Sequence, residues 1–158
     1  MNIQDKLKRG YLFAGMSDEQ LSKVAAIAHR TSFGPDEILM REGDPGEDCF
    51  VLCSGSVKVM KLTSAGLKTV ATRNAGALVG ELALLGVEAR SATVTAREPT
   101  EALRLARDDL TDLLDRERDL GFHFYRELAC VLAKRISAST GELAFLMGYG
   151  EEHHWART

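Results

Sequence analysis

The sequence is short of cysteine, of uninterrupted apolar stretches and of surplus positive charge. Cys49, Cys53 and Cys130 are the 3 cysteines in 158 residues. An odd count in a small acidic chain argues against a disulfide framework. If Cys49 and Cys53 share a strand, the intervening chain spans roughly 13 Å, too far for a bridge. Buried free thiols are expected instead. The longest stretch without Asp, Glu, Lys or Arg runs only from Cys49 to Val57. A membrane-spanning helix needs about 20 apolar residues, so none is expected. Lys6, Lys8 and Arg9 open the chain, yet no apolar core of signal-peptide length follows them. Lys and Arg number 20 against 23 Asp and Glu, for a net charge of −3. That balance does not supply the broad basic face on which a nucleic-acid binder relies. These shortages predict a soluble, cytoplasmic protein.

What is present suffices for one domain. Hydrophobic residues make up 45% of the chain, enough for one sizeable core. Residues 1–30 read as helical: Ser17-Asp18-Glu19-Gln20 is a capping box, and Leu21, Val24, Ala25 and Ala28 follow at helical spacing. Residues 31–107 alternate short β-rich runs with turns. The runs are Ile38–Arg41, Cys49–Cys53, Val57–Leu62, Leu67–Arg73, Ala92–Ala96 and Ala102–Leu105, many of them separated by glycines. Short strands at even intervals suggest a small barrel or roll, and alternation places Val57 and Val59 on one face. Residues 108–147 return to helix. Asp108 is the expected N-cap, Gly121 the expected bend, and Leu128, Leu132, Ile136, Leu143 and Leu146 form a narrow stripe of the helix–helix type. Residues 148–158 are expected to form a loose tail. The domain is thus expected over 1–147.

The chemistry concentrates in Val79-Gly80-Glu81-Leu82-Ala83-Leu84-Leu85-Gly86, followed by Arg90-Ser91-Ala92-Thr93-Val94. Glu81–Leu85 lacks period-2 alternation and suits one helical turn. A glycine before such a turn leaves backbone amides free for an anion. Arg90, beyond a corner at Gly86, can fold back as a charge-assisted partner, with the Ser91 hydroxyl beside it. Glu81 is out of place in an anion site unless it accepts a hydrogen bond from a sugar hydroxyl. Together these groups describe a small ribose-phosphate pocket. Taken singly, Glu81 and Arg90 also fit a surface ion pair of little worth.

The combined segment resembles the phosphate-binding cassette of cyclic-nucleotide-binding domains, the family of the bacterial catabolite activators and the kinase regulatory subunits. Arg41-Glu42-Gly43-Asp44-Pro45-Gly46-Glu47-Asp48-Cys49-Phe50 and Gly55-Ser56-Val57-Lys58-Val59 resemble the family's first β-roll turns. Leu12-Phe13 with the helix capped at Ser17 resembles its N-terminal segment, so the likeness covers residues from about 10 to 147. It implies a mainly β fold, a double-stranded β-helix or jelly-roll-like roll, with an N-terminal helical segment and C-terminal lid and dimer helices. It implies that Glu81 accepts the ribose 2′-hydroxyl and Arg90 pairs with a phosphate oxygen. Ser91 would donate to the phosphate, with amides around Gly80, Leu82, Ala83 and Ala92 completing the anion shell. Val59, Val70, Ala71 and Val79 would line the sugar and base cavity. Asp36 departs from the glycine usual there, and a left-handed turn of the same shape is expected, since Asp tolerates that region.

A second resemblance lies in Leu132-Ala133-Lys134-Arg135-Ile136-Ser137-Ala138-Ser139-Thr140, similar to the dimer helix of the catabolite activators. It implies that Ser139 and Thr140 reach the base across a homodimer formed by residues 122–146, with Arg135 near the ligand. The bland alternative is that both hydroxyls merely punctuate a helix. The helix match favours cyclic AMP over cyclic GMP. No helix-turn-helix is expected after residue 147, and hence no DNA contact. A four-cysteine cluster is set aside because there are only 3 scattered cysteines, and haem ligation in the roll because no His lies between Thr31 and Phe122. The same gap disfavours a metal-binding cupin. His29 and His123 are expected as packing or surface residues, and the His153-His154 pair lacks a supporting shell. No catalytic constellation, metal or cofactor is expected. The expectation is a cyclic-nucleotide receptor domain read by an unidentified effector protein. The alternative is a ligand-free roll acting as an interaction or dimerisation module.

Overall fold

The computed structural model describes residues 2–146. The expected tail and the side chains of Leu143 and Leu146 lie outside them. Two short helices, α1 (Ile3–Lys8) and α2 (Asp18–Ala25), precede eight strands: β1 (Ala28–Phe33), β2 (Ile38–Met40), β3 (Asp48–Ser54), β4 (Ser56–Thr63), β5 (Gly66–Asn74), β6 (Leu78–Val79), β7 (Thr93–Ala96) and β8 (Thr100–Ala106). A 3-10 turn, Glu81–Leu85, interrupts them, and α3 (Arg107–Arg116) and α4 (Arg118–Leu146) follow. The strands form two antiparallel sheets, in the orders β1-β8-β3-β6 and β2-β7-β4-β5. This is a β-roll with flanking helices, the expected fold class.

The core has two compartments, and β3 explains why. Cys49 and Val51 pack toward the helices among Leu7, Phe13, Leu103, Leu105, Leu110 and Phe124. Phe50 and Leu52 point into the roll with Val57, Val79, Val94 and Ala102. A strand covered on both faces reads as an unbroken apolar run, as Cys49-Phe50-Val51-Leu52 does. The capping box forms as expected: Gln20 N–H donates to Ser17 Oγ at 3.2 Å, and Ser17 N–H to Gln20 Oε1 at 3.0 Å. Asp36 has φ 69°, the left-handed turn expected of it.

Several expectations need correction. Residues 28–30 are not helical but begin β1, an edge strand paired only with β8. Asp108 is not the N-cap of α3; that position is Ala106, because β8 runs directly into the helix and Arg107 N–H is taken by the Glu47 carbonyl. The helices break at Glu117 (φ −104°, ψ 88°), not at Gly121, which lies inside α4. Gly121 serves close packing instead, since a Cβ there would run into the Leu114 carbonyl. The leucine stripe also splits. Leu128 is 2% exposed against the roll, whereas Ile136 is 67% exposed. Steps of four residues advance by about 40° beyond a full turn, so successive leucines drift around the helix. Of the thiols only Cys49 is buried; Cys53 is half-buried and Cys130 exposed.

Candidate functional site

Strand β6 ends at Val79, and the next residue, Gly80, has φ +82°. A Cβ there would lie 2.8 Å from Arg90 Nη1, so glycine both turns the chain and leaves room for the guanidinium. The helical turn expected at Glu81–Leu85 follows immediately, in 3-10 geometry and without a side-chain cap. Among the described residues Ala83 N–H makes one long contact, 3.4 Å to the Gly80 carbonyl.

Arg90 is held from behind by the loop ahead of β3. Its N–H donates to the Asp44 carbonyl at 2.8 Å, and its carbonyl accepts from Gly43 N–H at 2.9 Å. Gly46 N–H donates to the Glu88 carbonyl at 2.7 Å. The two motifs that stand apart in the sequence, Arg41–Phe50 and Gly80–Val94, are therefore one hydrogen-bonded unit. The guanidinium is fixed as well: Nη2 donates to the Asp48 carbonyl at 2.7 Å and to Asp48 Oδ1 at 2.8 Å, and Nη1 to the Gly80 carbonyl at 3.4 Å. Its side chain is 7% exposed.

Glu81 faces a different partner. Arg135 of α4 donates through Nη1 to Glu81 Oε1 at 2.8 Å. Glu81 and Arg90 do not pair with each other, so the surface ion-pair alternative fails. The Glu81–Arg135 contact instead ties the long helix to the 3-10 turn.

These groups surround a cavity of about 210 Å³. Of the residues anticipated from the sequence, Val59, Val79, Gly80, Glu81, Leu82, Ala83, Arg90, Ser91, Ala92 and Arg135 line it. Four do not. Val70 is 57% exposed, because a bulge opposite Val59 and Met60 leaves it outside the β4–β5 ladder. Ala71 pairs with Val59 but does not reach the wall. Ser139 and Thr140 are exposed on α4, beyond Arg135.

Met40, Arg73, Val87, Ala89 and Val94 also line the cavity and were not anticipated. Arg73 matters most. It pairs with Val57, a fully buried roll residue, and so shares its inward face. Its hydrogen bond is a 3.3 Å contact from Nη1 to the Thr72 carbonyl. Burial holds its pKa below the usual guanidinium value, Arg135 adds to that, and Glu81 opposes it. Three guanidinium groups, Arg73, Arg90 and Arg135, thus line the cavity with the carboxylate of Glu81, while Asp48 behind Arg90 also faces Arg104 at 3.9 Å. The excess of positive charge suits an anion, held beside a carboxylate that can accept from a hydroxyl. Among the described residues no group of three His, Cys, Asp or Glu is placed to hold a metal ion. No described helix is long and apolar enough to cross a membrane.

The site is thus a cavity in a β-roll, with a buried arginine above a glycine-led 3-10 turn. The family profile "Cyclic nucleotide-binding domain" matches residues 30–117, and the chain belongs to this family. It is 31% identical to the cyclic AMP receptor protein of Thermus thermophilus over 141 residues, 89% of this chain and 63% of that protein. It is 32% identical to cGMP-dependent protein kinase egl-4 of Caenorhabditis briggsae over 111 residues, 68% of this chain and 15% of the kinase. The chain therefore spans less than two thirds of these relatives. A cyclic nucleotide-binding domain from Methylobacillus flagellatus superposes with a TM-score of 0.76 at 30% identity, covering 87% of this chain and 78% of that one.

Proposed function

We propose that this chain is a receptor domain for a purine 3′,5′-cyclic nucleotide. The observation that carries this reading is the buried Arg90, fixed at the cavity beside uncapped backbone from Gly80 to Ala83. A cyclised phosphodiester carries a negative charge that the excess of guanidinium over carboxylate favours. In this reading Arg90, the Ser91 hydroxyl and the amides of Leu82, Ala83 and Ala92 hold the phosphate, and Glu81 accepts the ribose 2′-hydroxyl. The ribose then competes with Arg135 for Glu81. Ligand binding thereby biases the position of α4, as a population shift passed on to an effector protein.

Base choice divides into two readings. The likeness of α4 to a dimer helix supports cyclic AMP, contacted by Ser139 and Thr140 where two chains pair. Arg73 supports cyclic GMP. Guanine offers two adjacent acceptors, O6 and N7, to a guanidinium, whereas adenine sets an N6 donor beside N7.

Calorimetric titration and thermal unfolding with cyclic AMP, cyclic GMP and cyclic IMP test both. Ligand at a hundred times its Kd adds about 2.7 kcal/mol of stability, a rise in Tm of roughly 5–11 °C. Arg90→Ala is expected to lose most of that rise while remaining folded. If Arg73 reads the base, cyclic IMP follows cyclic GMP, and Arg73→Leu costs both about tenfold or more while sparing cyclic AMP. If the α4 hydroxyls choose, cyclic AMP binds tightest and Arg73→Leu leaves the order unchanged. A wild-type protein that binds none of the three would overturn the receptor reading in favour of an interaction module.

A further inference from the structure

Lys61 lies just past the end of the β4–β7 ladder, whose last pair is Met60 with Thr93. Its Nζ donates to the Ser91 carbonyl at 2.7 Å and to Glu42 Oε2 at 3.3 Å. Glu42 is itself anchored: its Oε1 accepts from Leu62 N–H at 3.2 Å, and its N–H donates to Thr93 Oγ1 at 3.0 Å. The ammonium is thus held against one particular carbonyl of the cassette.

That carbonyl belongs to the same peptide unit as Ala92 N–H. No peptide in the described chain is cis. In a trans unit the C=O and N–H point in opposite directions. Pinning the Ser91 carbonyl toward Lys61 turns Ala92 N–H away from it, and Ala92 lines the cavity. Among the described residues no backbone acceptor takes this N–H. A cation on the carbonyl also polarises the amide and strengthens its N–H as a donor.

We propose that Lys61 is a positioning residue for anion binding, aiming and polarising the Ala92 amide through the Ser91 carbonyl. This rests on the reading of the cavity as a cyclic-nucleotide site. Lys61 touches no ligand itself, and its side chain is 46% exposed, so a moderate effect is expected.

The experiment follows amide and carbonyl resonances by NMR in wild type, Lys61→Met and Lys61→Arg, free and with saturating cyclic AMP or cyclic GMP. Lys61→Met is expected to weaken binding about five- to tenfold, the scale of one ordinary hydrogen bond, because the Ala92 amide is misaimed rather than removed. The ligand-induced downfield shift of the Ala92 amide proton shrinks, that of Leu82 does not, and the Tm of the free protein is unchanged. Lys61→Arg restores affinity and shift. In the free protein Lys61→Met moves the Ser91 carbonyl and Ala92 nitrogen resonances. Failure of those two resonances to move overturns the proposal whether or not any nucleotide binds. Wild-type affinity in Lys61→Met, or a uniform loss at Leu82 and Ala92 with a lowered Tm, overturns it as well. Absence of binding by wild type, with the free-state resonances moving as expected, overturns the cyclic-nucleotide reading instead and leaves the Lys61 contact standing.

Discussion

Arg90 and Arg73 face one cavity with opposite degrees of restraint. Arg90 is held by three donor contacts to Asp48 and Gly80 and keeps its other N–H groups, whereas among the described residues Arg73 has one long contact, to its neighbour's carbonyl. Only the first was legible in the sequence, because Arg90 sits in a motif whose glycine, carboxylate and hydroxyl explain one another. Arg73, in Lys68-Thr69-Val70-Ala71-Thr72-Arg73, reads as the solvated face of a strand. Its register opposite Val57 reveals it, and the bulge beside Val59 hides that register from simple alternation. The same bulge explains Val70: adjacent residues of a regular strand cannot both face inward, so Val70 and Ala71 could not both line the cavity. The cysteines allow a test at this scale. Burial pushes the Cys49 thiol up to about 12, and Cys53 is raised by burial against the opposing charges of Lys6, Arg30 and Arg9. The thiolate is the nucleophile. With N-ethylmaleimide followed by mass spectrometry, Cys130 is expected to label first, Cys53 more slowly, and Cys49 only on unfolding. The unfolded Cys49 ionises near its ordinary value and the folded one near 12. Its contribution to stability is therefore full below the unfolded pKa and is lost as pH rises toward 12. Urea midpoints measured above pH 9 would show the decline.

Among the elements, those with strong local signals were the legible ones. The capping box set α2, and the run Cys49-Phe50-Val51-Leu52 set the strand between the two cores. Strands β1 and β6 were not legible. Ala-His-Arg-Thr-Ser-Phe is polar because β1 is an edge with one neighbour, and β6 is only two residues long. The α3–α4 corner was misplaced for a related reason. Glycine within a helical pattern suggests a bend, but Gly121 is where α4 crosses the end of α3, its N–H donating to the Glu117 carbonyl at 2.8 Å. The break falls at Glu117, which Lys23 of α2 holds at 2.8 Å. A methyl at residue 121 would meet the Leu114 carbonyl, a backbone atom that cannot swing aside. Overpacking of this kind costs about 1–3 kcal/mol. Gly121→Ala is therefore expected to lower Tm by roughly 2–12 °C, although alanine favours helix. A variant as stable as wild type in differential scanning calorimetry would show that the two helices can part at no cost.

At the scale of the whole molecule, α4 presents a face that the roll does not cover. Phe122 and Ile136 are 70% and 67% exposed. They bracket exposed Ala129 at seven-residue intervals, and a second row at the same interval, Tyr125, Leu132 and Ser139, borders the roll, where Tyr125 and Leu132 are half-buried against its core. Two rows offset by three and four residues are the pattern of a coiled-coil seam. Of the expected stripe, Ile136 lies on this face, Leu132 at its border, and Leu128 within the roll. A second copy of α4 against this seam would bury Phe122 and Ile136, the large apolar side chains exposed on the helix among the described residues. It would also set Ser139 and Thr140 of one chain near the other chain's helix. Arg135 carries the same helix to Glu81 at the cavity. If the chain dimerises along this seam, ligand binding and dimerisation therefore share free energy, and each must strengthen or weaken the other to the same extent. Sedimentation equilibrium at micromolar concentration is expected to give twice the 17.3 kDa of one chain. Ile136→Glu, which places a like charge opposite itself across the seam, is expected to return the single-chain mass without lowering the order of the roll. Saturating cyclic nucleotide should shift the wild-type dimer constant and leave Ile136→Glu monomeric. Wild type sedimenting as a single chain, with and without nucleotide, would mean that the seam has no second helix and that Arg135 reports to something other than a partner copy.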